Sequence, residues 1–472
     1  MSITFTLNGA LRVLAAETPP ARTLLDWLRA AGLTGTKEGC AEGDCGACTV
    51  VIETPDGARA PVNACLMTLG QAHGLALRSV EGLSAPDGAP HPVQAAMLTA
   101  EATQCGFCTP GIVMALYAHA RMGGDAHEAL AGNLCRCTGY RPILDAMAAM
   151  PVAEATAPLC PAPDVTALGP PEHRFFLPRS LDETLRLRRE NTGAWLLAGG
   201  TDLGLRFSEH RDNPAAIICL RDVVELRGIA AGPEGLSVGA AEPYAALLDQ
   251  MADDADFASF AALLRRLGSR QIRALGTIGG NLGTASPIGD ALPPLLALGA
   301  RVTLRGPDGA RDLAVEDFLL GYRRNALREH EVIARIFIPR PAPGAIFAAE
   351  KLSRRHDQDI SAVGLSMLLE CEGGVITRAR IAHGGCGPMA ERAPEAEAVL
   401  QGAPFTEAQA RAAGEALARA ITPMDDLRGT AEYRRVAARN LVLRLYWRAA
   451  RPDAAAEIMA LPTPHAPRFI AP

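Results

Sequence analysis

The chain has 472 residues, enough for three domains of roughly 150 residues each. With 49% hydrophobic and 21% charged residues its composition is that of a globular protein, which excludes wholesale disorder. Against 46 Lys and Arg stand 52 Asp and Glu, a formal net charge of −6, so no long-range attraction for nucleic acid or anionic lipid is expected.

The first residues show no basic stretch followed by an apolar run, and no run of about 18 apolar residues follows, so the chain reads as cytoplasmic with no membrane span. Residues 3–7 and 11–15 alternate around Asn8-Gly9 and predict a β-hairpin. Leu24, Leu25 and Leu28 predict a helix over 23–30, stopped at Gly32. Residues 34–48 read as a Gly- and Cys-rich loop, then 49–53 and 62–69 as returning strands. From His91 the apolar period predicts helices at 93–100, 111–120 and 143–150, with Pro110 opening the second. The Pro-rich stretch from Pro151 to Pro171 reads as a linker. Beyond it, strands are expected at 195–198, 216–220, 236–238, 302–304, 332–338 and 374–382, and helices at 407–419 and 433–450. Gly-rich loops are expected at 199–202 and 276–290.

Cytoplasmic thiols stay reduced, so 12 cysteines call for a use other than disulfides. Cys40-x4-Cys45-x2-Cys48, with Cys65 further on, has the spacing of plant-type [2Fe–2S] ligation. Two irons need four thiolates around a compact rhomb, and a loop with Gly43 and Gly46 can fold back to aim three of them inward. Structural zinc more often takes two C-x2-4-C pairs. The second group, Cys105-x2-Cys108 and Cys135-x-Cys137, leaves zinc open when read alone. Both its pairs lie at predicted helix ends, where N–H groups favour anionic clusters. Cys219 and Cys371 read as buried small residues and Cys160 as an exposed linker residue. Cys386, between Gly385 and Gly387, leaves a functional role open.

The first Gly-rich segment, Leu197-Ala198-Gly199-Gly200-Thr201-Asp202, follows a strand and frees its backbone to approach a ligand. In the second, glycine N–H groups and the hydroxyls of Thr277, Thr284 and Ser286 suit a pyrophosphate, with Asp290 placed to accept from a ribose or ribityl hydroxyl. Neither is G-x-G-x-x-G, so a Rossmann site is not indicated. Read alone, such loops are as readily plain turns, and the charged stretch 351–360 is as readily a solvated loop.

Glu42-Gly-Asp-Cys-Gly-Ala-Cys48, Gln104-Cys-Gly-Phe-Cys-Thr-Pro-Gly111 and Asn133-Leu-Cys-Arg-Cys-Thr-Gly-Tyr140 resemble the iron–sulfur signatures of the molybdenum hydroxylase family. That family includes xanthine dehydrogenases, aldehyde oxidases and carbon monoxide dehydrogenases. All eight ligand positions are present, and the resemblance implies a second [2Fe–2S] cluster on Cys105, Cys108, Cys135 and Cys137. Both Gly-rich segments, and Gly321-Tyr322-Arg323, resemble the family's FAD-binding segments. The resemblance implies FAD contacts from Leu197, Ala198, Gly199, Gly200, Thr201, Asp202, Thr277, Gly280, Asn281, Thr284, Ser286, Asp290 and Lys351. Residues 351–360 resemble the segment beside the flavin ring, which implies an NAD site near Tyr322, Arg354 and Asp359. At Leu267 vertebrate xanthine dehydrogenases carry an aromatic against that ring, so the choice of NAD or oxygen stays open here.

The implied architecture is α+β and multidomain. A β-grasp ferredoxin-like [2Fe–2S] domain spans 1–85, a four-helix [2Fe–2S] domain 86–155 and a linker 156–172. An α+β FAD-binding domain spans 173–344 and an α+β C-terminal domain 345–460. The resemblance implies a molybdopterin-binding large subunit as partner, in a two-plus-two heterotetramer, with the substrate-oxidising residues on that partner and none here. Fusion of the cluster and FAD modules favours a purine-oxidising member that passes electrons to FAD and then NAD. Another substrate class, a stand-alone diaphorase and a zinc-stabilised module are the alternatives.

Overall fold

The computed structural model describes residues 1–150 and 165–450. Cys160, the 151–164 part of the Pro-rich stretch and the 451–460 end of the expected C-terminal domain lie outside the described residues. Among the described residues no helix is long and apolar enough to cross a membrane.

Asn8 and Gly9 take positive φ (55° and 79°), closing β1 (Thr4–Leu7) onto β2 (Ala10–Val13) as the Asn-Gly turn predicts. The helix α1 (Leu24–Ala30) starts where the Thr23 hydroxyl accepts from the Asp26 N–H at 3.1 Å, and it buries Leu24, Leu25 and Leu28. Strands β3 (Thr49–Glu53) and β4 (Arg59–Asn63) form the next hairpin. The strand expected over 62–69 therefore ends early. A Thr68–Gln71 capping box starts the short α2 (Leu69–Ala72) instead, and the turn between them carries Cys65. Strand β5 (Ala76–Arg78), too short to signal itself in the sequence, runs parallel to β1 and completes the order β2-β1-β5-β3-β4.

Four helices follow: α3 (Pro92–Thr99), α4 (Thr109–Met122), α5 (Ala126–Leu130) and α6 (Arg141–Ala148). The longest, α4, packs on β3 and β4, and a Cβ at its Gly111 would run into the Gly46 carbonyl and lie 3.0 Å from the Ala47 Cα.

The third module opens with β6 (Ala167–Leu168), inside the stretch expected as linker. Leu168 is fully buried and β6 pairs with β7 (Arg174–Phe176), so the chain is already folded there. The helix α7 (Leu181–Glu190), β8 (Trp195–Leu197), α8 (Leu203–Ser208) and β9 (Ala216–Cys219) complete a sheet in the order β6-β7-β9-β8. A second sheet begins with β10 (Ile229–Gly232) and β11 (Gly235–Gly239). Five helices then intervene: α9 (Tyr244–Ala252), α10 (Ala258–Arg265), α11 (Arg270–Arg273), α12 (Ile278–Thr284) and α13 (Leu292–Leu298). Strands β12 (Arg301–Gly306) and β13 (Gly309–Ala314), the helix α14 (Val315–Phe318), the small pair β14 (Leu319–Gly321) and β15 (Arg324–Asn325), and β16 (Val332–Pro339) follow. The order is β10-β11-β16-β12-β13.

The helix α12 corrects the loop expected over 276–290. The Thr277 hydroxyl caps it by accepting from the Gly280 N–H at 2.9 Å, and Gly279 lies so close to Ala240 that no side chain fits. Glycine here serves close approach rather than a turn.

The last module is a sheet of β17 (Ile346–Leu352), β18 (Val363–Glu372), β19 (Val375–Gly384) and β20 (Glu391–Arg392). Helices α15 (Pro394–Leu400), α16 (Glu407–Ala420) and α17 (Ala431–Ala450) cover it. Cys386 and Cys219 are buried, but Cys371 is exposed, because the β18 register shifts at Glu370/Cys371 as the strand leaves the core.

Replacing Gly111 by Ala would ordinarily strengthen a helix by about 1 kcal/mol. Here the contact with Gly46 dominates, and Gly111→Ala is expected to destabilise by about 1–3 kcal/mol, read as a lower thermal midpoint of the full chain. A raised midpoint would show that the two modules can part without cost.

Candidate functional site

The loop 40–48 is held in a curl by its own N–H groups. Cys40 N–H donates to Cys45 Sγ at 3.3 Å, Cys45 N–H to Cys40 Sγ at 3.3 Å, and Glu42 N–H to Cys40 Sγ at 3.4 Å. Asn63 Nδ2 donates to Gly43 O at 2.9 Å and fixes the loop against β4. The thiols then meet in pairs: Cys40 with Cys45, and Cys48 with Cys65. The second group does the same, Cys105 with Cys137 and Cys108 with Cys135.

Within each pair one thiol is driven down and the other up, as expected where two sulfurs in contact share one charge. The Cys45 thiol and the N–H groups of Glu42, Cys45 and Asp44 bring Cys40 down to about 5, while Cys45 rises. Cys65 lowers Cys48 and is itself raised. The Phe107 N–H, then Cys137, lowers Cys105, and Cys137 is raised by Cys105. Burial and Cys135 push Cys108 up to about 12; burial also opposes Cys135, but the Thr138 hydroxyl and N–H outweigh it and Cys135 falls.

Among the described residues no three His, Cys, Asp or Glu side chains converge on one point as a single metal ion requires. Four thiols per site, meeting two by two, are the donors that a two-iron cluster would use. The chemistry of the donors thus fits the group that the spacing suggests.

The two sites touch. Leu134 N–H donates to Cys45 O at 2.9 Å, and a Cβ at Gly39 would lie 3.7 Å from the Phe107 ring. Cys105 and Cys137 are exposed, with Phe107 and Leu134 exposed beside them, whereas Cys48 and Cys65 are buried. Cys135 is buried and Cys108, Cys40 and Cys45 are half-buried, so the second group opens to the surface through Cys105 and Cys137 and the first is closed at Cys48 and Cys65.

Inward lies a cavity of about 670 Å³, inside the range that takes small-molecule cofactors. Ala198, Gly199, Gly200, Thr201 and Asp202 line one wall, and Thr277, Gly280, Asn281, Thr284, Ser286 and Asp290 another. At Gly283 an added Cβ would meet only Ile333 at 3.6 Å, so the helix backbone is bare toward the cavity. A glycine-lined cleft with hydroxyls at its rim fits a dinucleotide pyrophosphate.

The last module completes the wall with Lys351, Gln358, Asp359 and Ile360. The Lys351 ammonium, 2% exposed, donates to Asp290 Oδ2 at 2.6 Å and to Arg266 O at 3.0 Å. The Ser361 hydroxyl donates to the other Asp290 oxygen at 2.5 Å. Asp290, expected to accept from a sugar hydroxyl, thus has both oxygens engaged by the protein.

Three expected residues stand elsewhere. Leu197 points into the core with Phe175 and Cys219, because alternation along β8 turns it away from the cavity that Leu196 and Ala198 line. Tyr322 is exposed outside the cavity wall, where its neighbour Arg323 reaches Asp202 at 3.4 Å. Arg354 donates to Leu427 O at 2.8 Å, away from the cavity. Asp359 lines the wall and accepts from the Arg355 N–H. Leu267 also lines it.

The residue that sequence reading missed is Asp44. It belongs to the inner cysteine loop yet lines the cavity, and Gln358 Nε2 donates to Asp44 O at 3.3 Å. Burial raises its carboxyl above the ordinary value, partly offset by Arg355 at 3.8 Å. Its place inside the cysteine motif was the available signal, but nothing in the sequence joins residue 44 to residue 358.

Four family models match in chain order: a 2Fe-2S iron–sulfur cluster binding domain (6–69), a [2Fe-2S] binding domain (79–148), the FAD binding domain in molybdopterin dehydrogenase (171–341) and the CO dehydrogenase flavoprotein C-terminal domain (348–449). A solved carbon monoxide dehydrogenase chain from Hydrogenophaga pseudoflava is 32% identical, with a TM-score of 0.55; the match covers 58% of this chain and 96% of that one. The chain belongs to the molybdenum hydroxylase family. Quinoline 2-oxidoreductase from Pseudomonas putida 86 is similar at 27% identity and a TM-score of 0.53, over 59% of this chain and 96% of that one. Among curated proteins, xanthine dehydrogenase of Emericella nidulans is 31% identical over 86% of this chain, and xanthine dehydrogenase/oxidase of Rattus norvegicus 30% over 79%. The chain spans 35% and 33% of the lengths of these two relatives. This family member thus carries two [2Fe–2S] domains, a FAD-binding domain and a flavoprotein C-terminal domain.

Lys351→Met would leave Asp290 largely buried without its cation, and the expected loss is about 3–5 kcal/mol, read as a fall in thermal midpoint. Adding Asp290→Asn should recover part of that loss. A double variant as unstable as the sum of the two single ones would show that the pair does not act as a unit.

Proposed function

We propose that the chain is the iron–sulfur and FAD subunit of a xanthine dehydrogenase. In this reading a separate molybdenum-cofactor subunit oxidises hypoxanthine or xanthine, and the electrons pass through this chain to NAD. The observation that carries it is the order of the sites: an exposed thiol site, a buried one in backbone contact with it, and a cavity whose wall includes a residue of the buried loop. The xanthine dehydrogenases among the relatives support the purine.

Cys40, Cys45, Cys48 and Cys65 would hold the inner cluster, and Cys105, Cys108, Cys135 and Cys137 the outer one. The two glycine-rich walls would hold FAD, with Lys351 and Asp290 at one edge. The flavin, when bound, converts one-electron traffic from the clusters into a two-electron transfer. The chain's own part is to exclude water from the inner site by burying Cys48 and Cys65, and to keep the Asp44 turn against the cavity through Gln358. The exposed face around Cys105, Cys137, Phe107 and Leu134 suits the large subunit, in a two-plus-two assembly.

A second reading keeps this architecture and changes the substrate, since the similar solved structures are carbon monoxide dehydrogenase and quinoline 2-oxidoreductase. Purification from the native host, followed by addition of xanthine and NAD, separates the two. A rise at the NADH absorbance band supports the purine reading. No rise from a preparation that retains a large subunit supports another substrate. No rise and no partner supports a stand-alone electron-transfer flavoprotein.

Cys105→Ser or Cys137→Ser is expected to abolish xanthine-dependent NADH formation while flavin content stays at the wild-type level. Full activity in either variant would overturn the order of sites.

A further inference from the structure

Three modules meet in a buried polar knot beside both cysteine loops. Thr49 directly follows Cys48, Asn133 stands two residues before Cys135, and Gln271 belongs to α11 of the third module. Asn133 and Gln271 are only 2% and 1% exposed. Gln271 Nε2 donates to Asn133 Oδ1 at 2.8 Å and to Thr49 Oγ1 at 3.3 Å. Asn133 Nδ2 donates to Gly46 O at 3.0 Å and to Thr49 Oγ1 at 3.3 Å, and the Thr49 hydroxyl donates to Gly46 O at 2.7 Å.

Packing alone does not account for the glutamine. Its Oε1 is buried without a partner, a cost to folding that an apolar side chain of equal length would avoid. What the site uses is the pair of amide N–H groups, and both end on groups that touch the Gly46 carbonyl. Glycine makes the contact close: a Cβ at Gly132 would meet Ser269 Cβ at 2.6 Å.

We propose that Gln271 is a positioning residue for electron passage between the two thiolate sites. Through Asn133 and Thr49 its amide holds the Cys40–Cys48 loop and the Cys135–Cys137 turn at one fixed separation. The inference rests on the cluster reading above. One electron leaves the outer site and the same electron enters the inner one, so no bond changes and no co-reactant is needed. Tunnelling falls steeply with separation, so a displacement of about 1 Å is felt strongly, as in other positioning effects.

The test uses the full chain with its large partner, loaded with iron, sulfide and flavin. Gln271→Met keeps the length of the side chain and removes the amide. Low-temperature EPR of the fully reduced protein reads each cluster's own signal and the splitting from their mutual spin coupling, which varies as the inverse cube of their separation. Expected are both signals at wild-type intensity, an altered splitting, and transfer between clusters slowed roughly tenfold. Arg221→Met is the control: Arg221 ties the third module to the Gln71 and His73 carbonyls, away from the knot, and the splitting should stay at its wild-type value. Wild-type splitting and rate in Gln271→Met would overturn the positioning role. If that variant loses a cluster, Gln271→Glu, with the same shape and no amide donor, is judged by the same splitting. Absence of any iron–sulfur signal from the wild-type protein would overturn the cluster reading instead.

Discussion

Backbone-on-backbone contact at Gly46 governs how the two cysteine loops meet. Gly46 takes a φ of 67°, a region that favours glycine, and a side chain there would also collide with Gly132. Gly111 presses on the same carbonyl from α4. Beside the Asn133, Thr49 and Gln271 side chains, the loops are joined by a direct backbone hydrogen bond from Leu134 N–H to Cys45 O. Everything inward of that contact depends on it, because the inner loop also presents Asp44 to the cavity.

A second constraint closes the far side. The largely buried Lys351–Asp290 pair ties β17 of the last module to the glycine-rich wall of the third. Arg266 reinforces it by donating to Lys351 O at 2.8 Å and to Ser353 Oγ at 3.0 Å. Buried charge of this kind adds little net stability but penalises separation of its partners. Apolar clusters also cross the modules, joining Leu69 and Leu77 of the first to Phe175 and Leu197 of the third, and Leu292 of the third to Ala382 of the last, so the polar contacts fix an arrangement that shared burial already holds.

The sequence makes the modules legible where the signal is local. The Asn8-Gly9 turn, the helix carrying Leu24, Leu25 and Leu28, and three of the second module's helices fall where their residues predict, whereas the short α5 carries no such signal. What it does not show is set by contacts far apart in the chain. Strand β5 has three residues and exists because β1 and β3 flank it. The segment 276–290 reads as a loop because glycine disfavours helices, yet the Thr277 cap and the close approach of Ala240 make Ile278–Thr284 helical and leave the loop to 285–290. Leu197 and Ala198 are adjacent in a motif, but strand alternation sends one to the core and the other to the cavity. Most of the cavity wall lies in the two glycine-rich segments and in 351–360, which the sequence singles out, whereas Asp44 joins it through tertiary packing alone.

The placement of exposure follows a physical logic. Cys105 and Cys137 open to the surface with two large apolar neighbours, Phe107 and Leu134, an arrangement that a chain acting alone would have reason to bury. Cys48 and Cys65 are buried, and Asp44 of the same loop lines the cavity. A binding module would have no need for this gradient. The electron conduit proposed above would use it: one end would meet a partner, the middle would be shielded from solvent, and the far end would adjoin a site open to a small molecule. The contact at Gly46, where a side chain would run into Gly132, and the Gln358 bond to the Asp44 carbonyl are two points whose loss would break such a conduit.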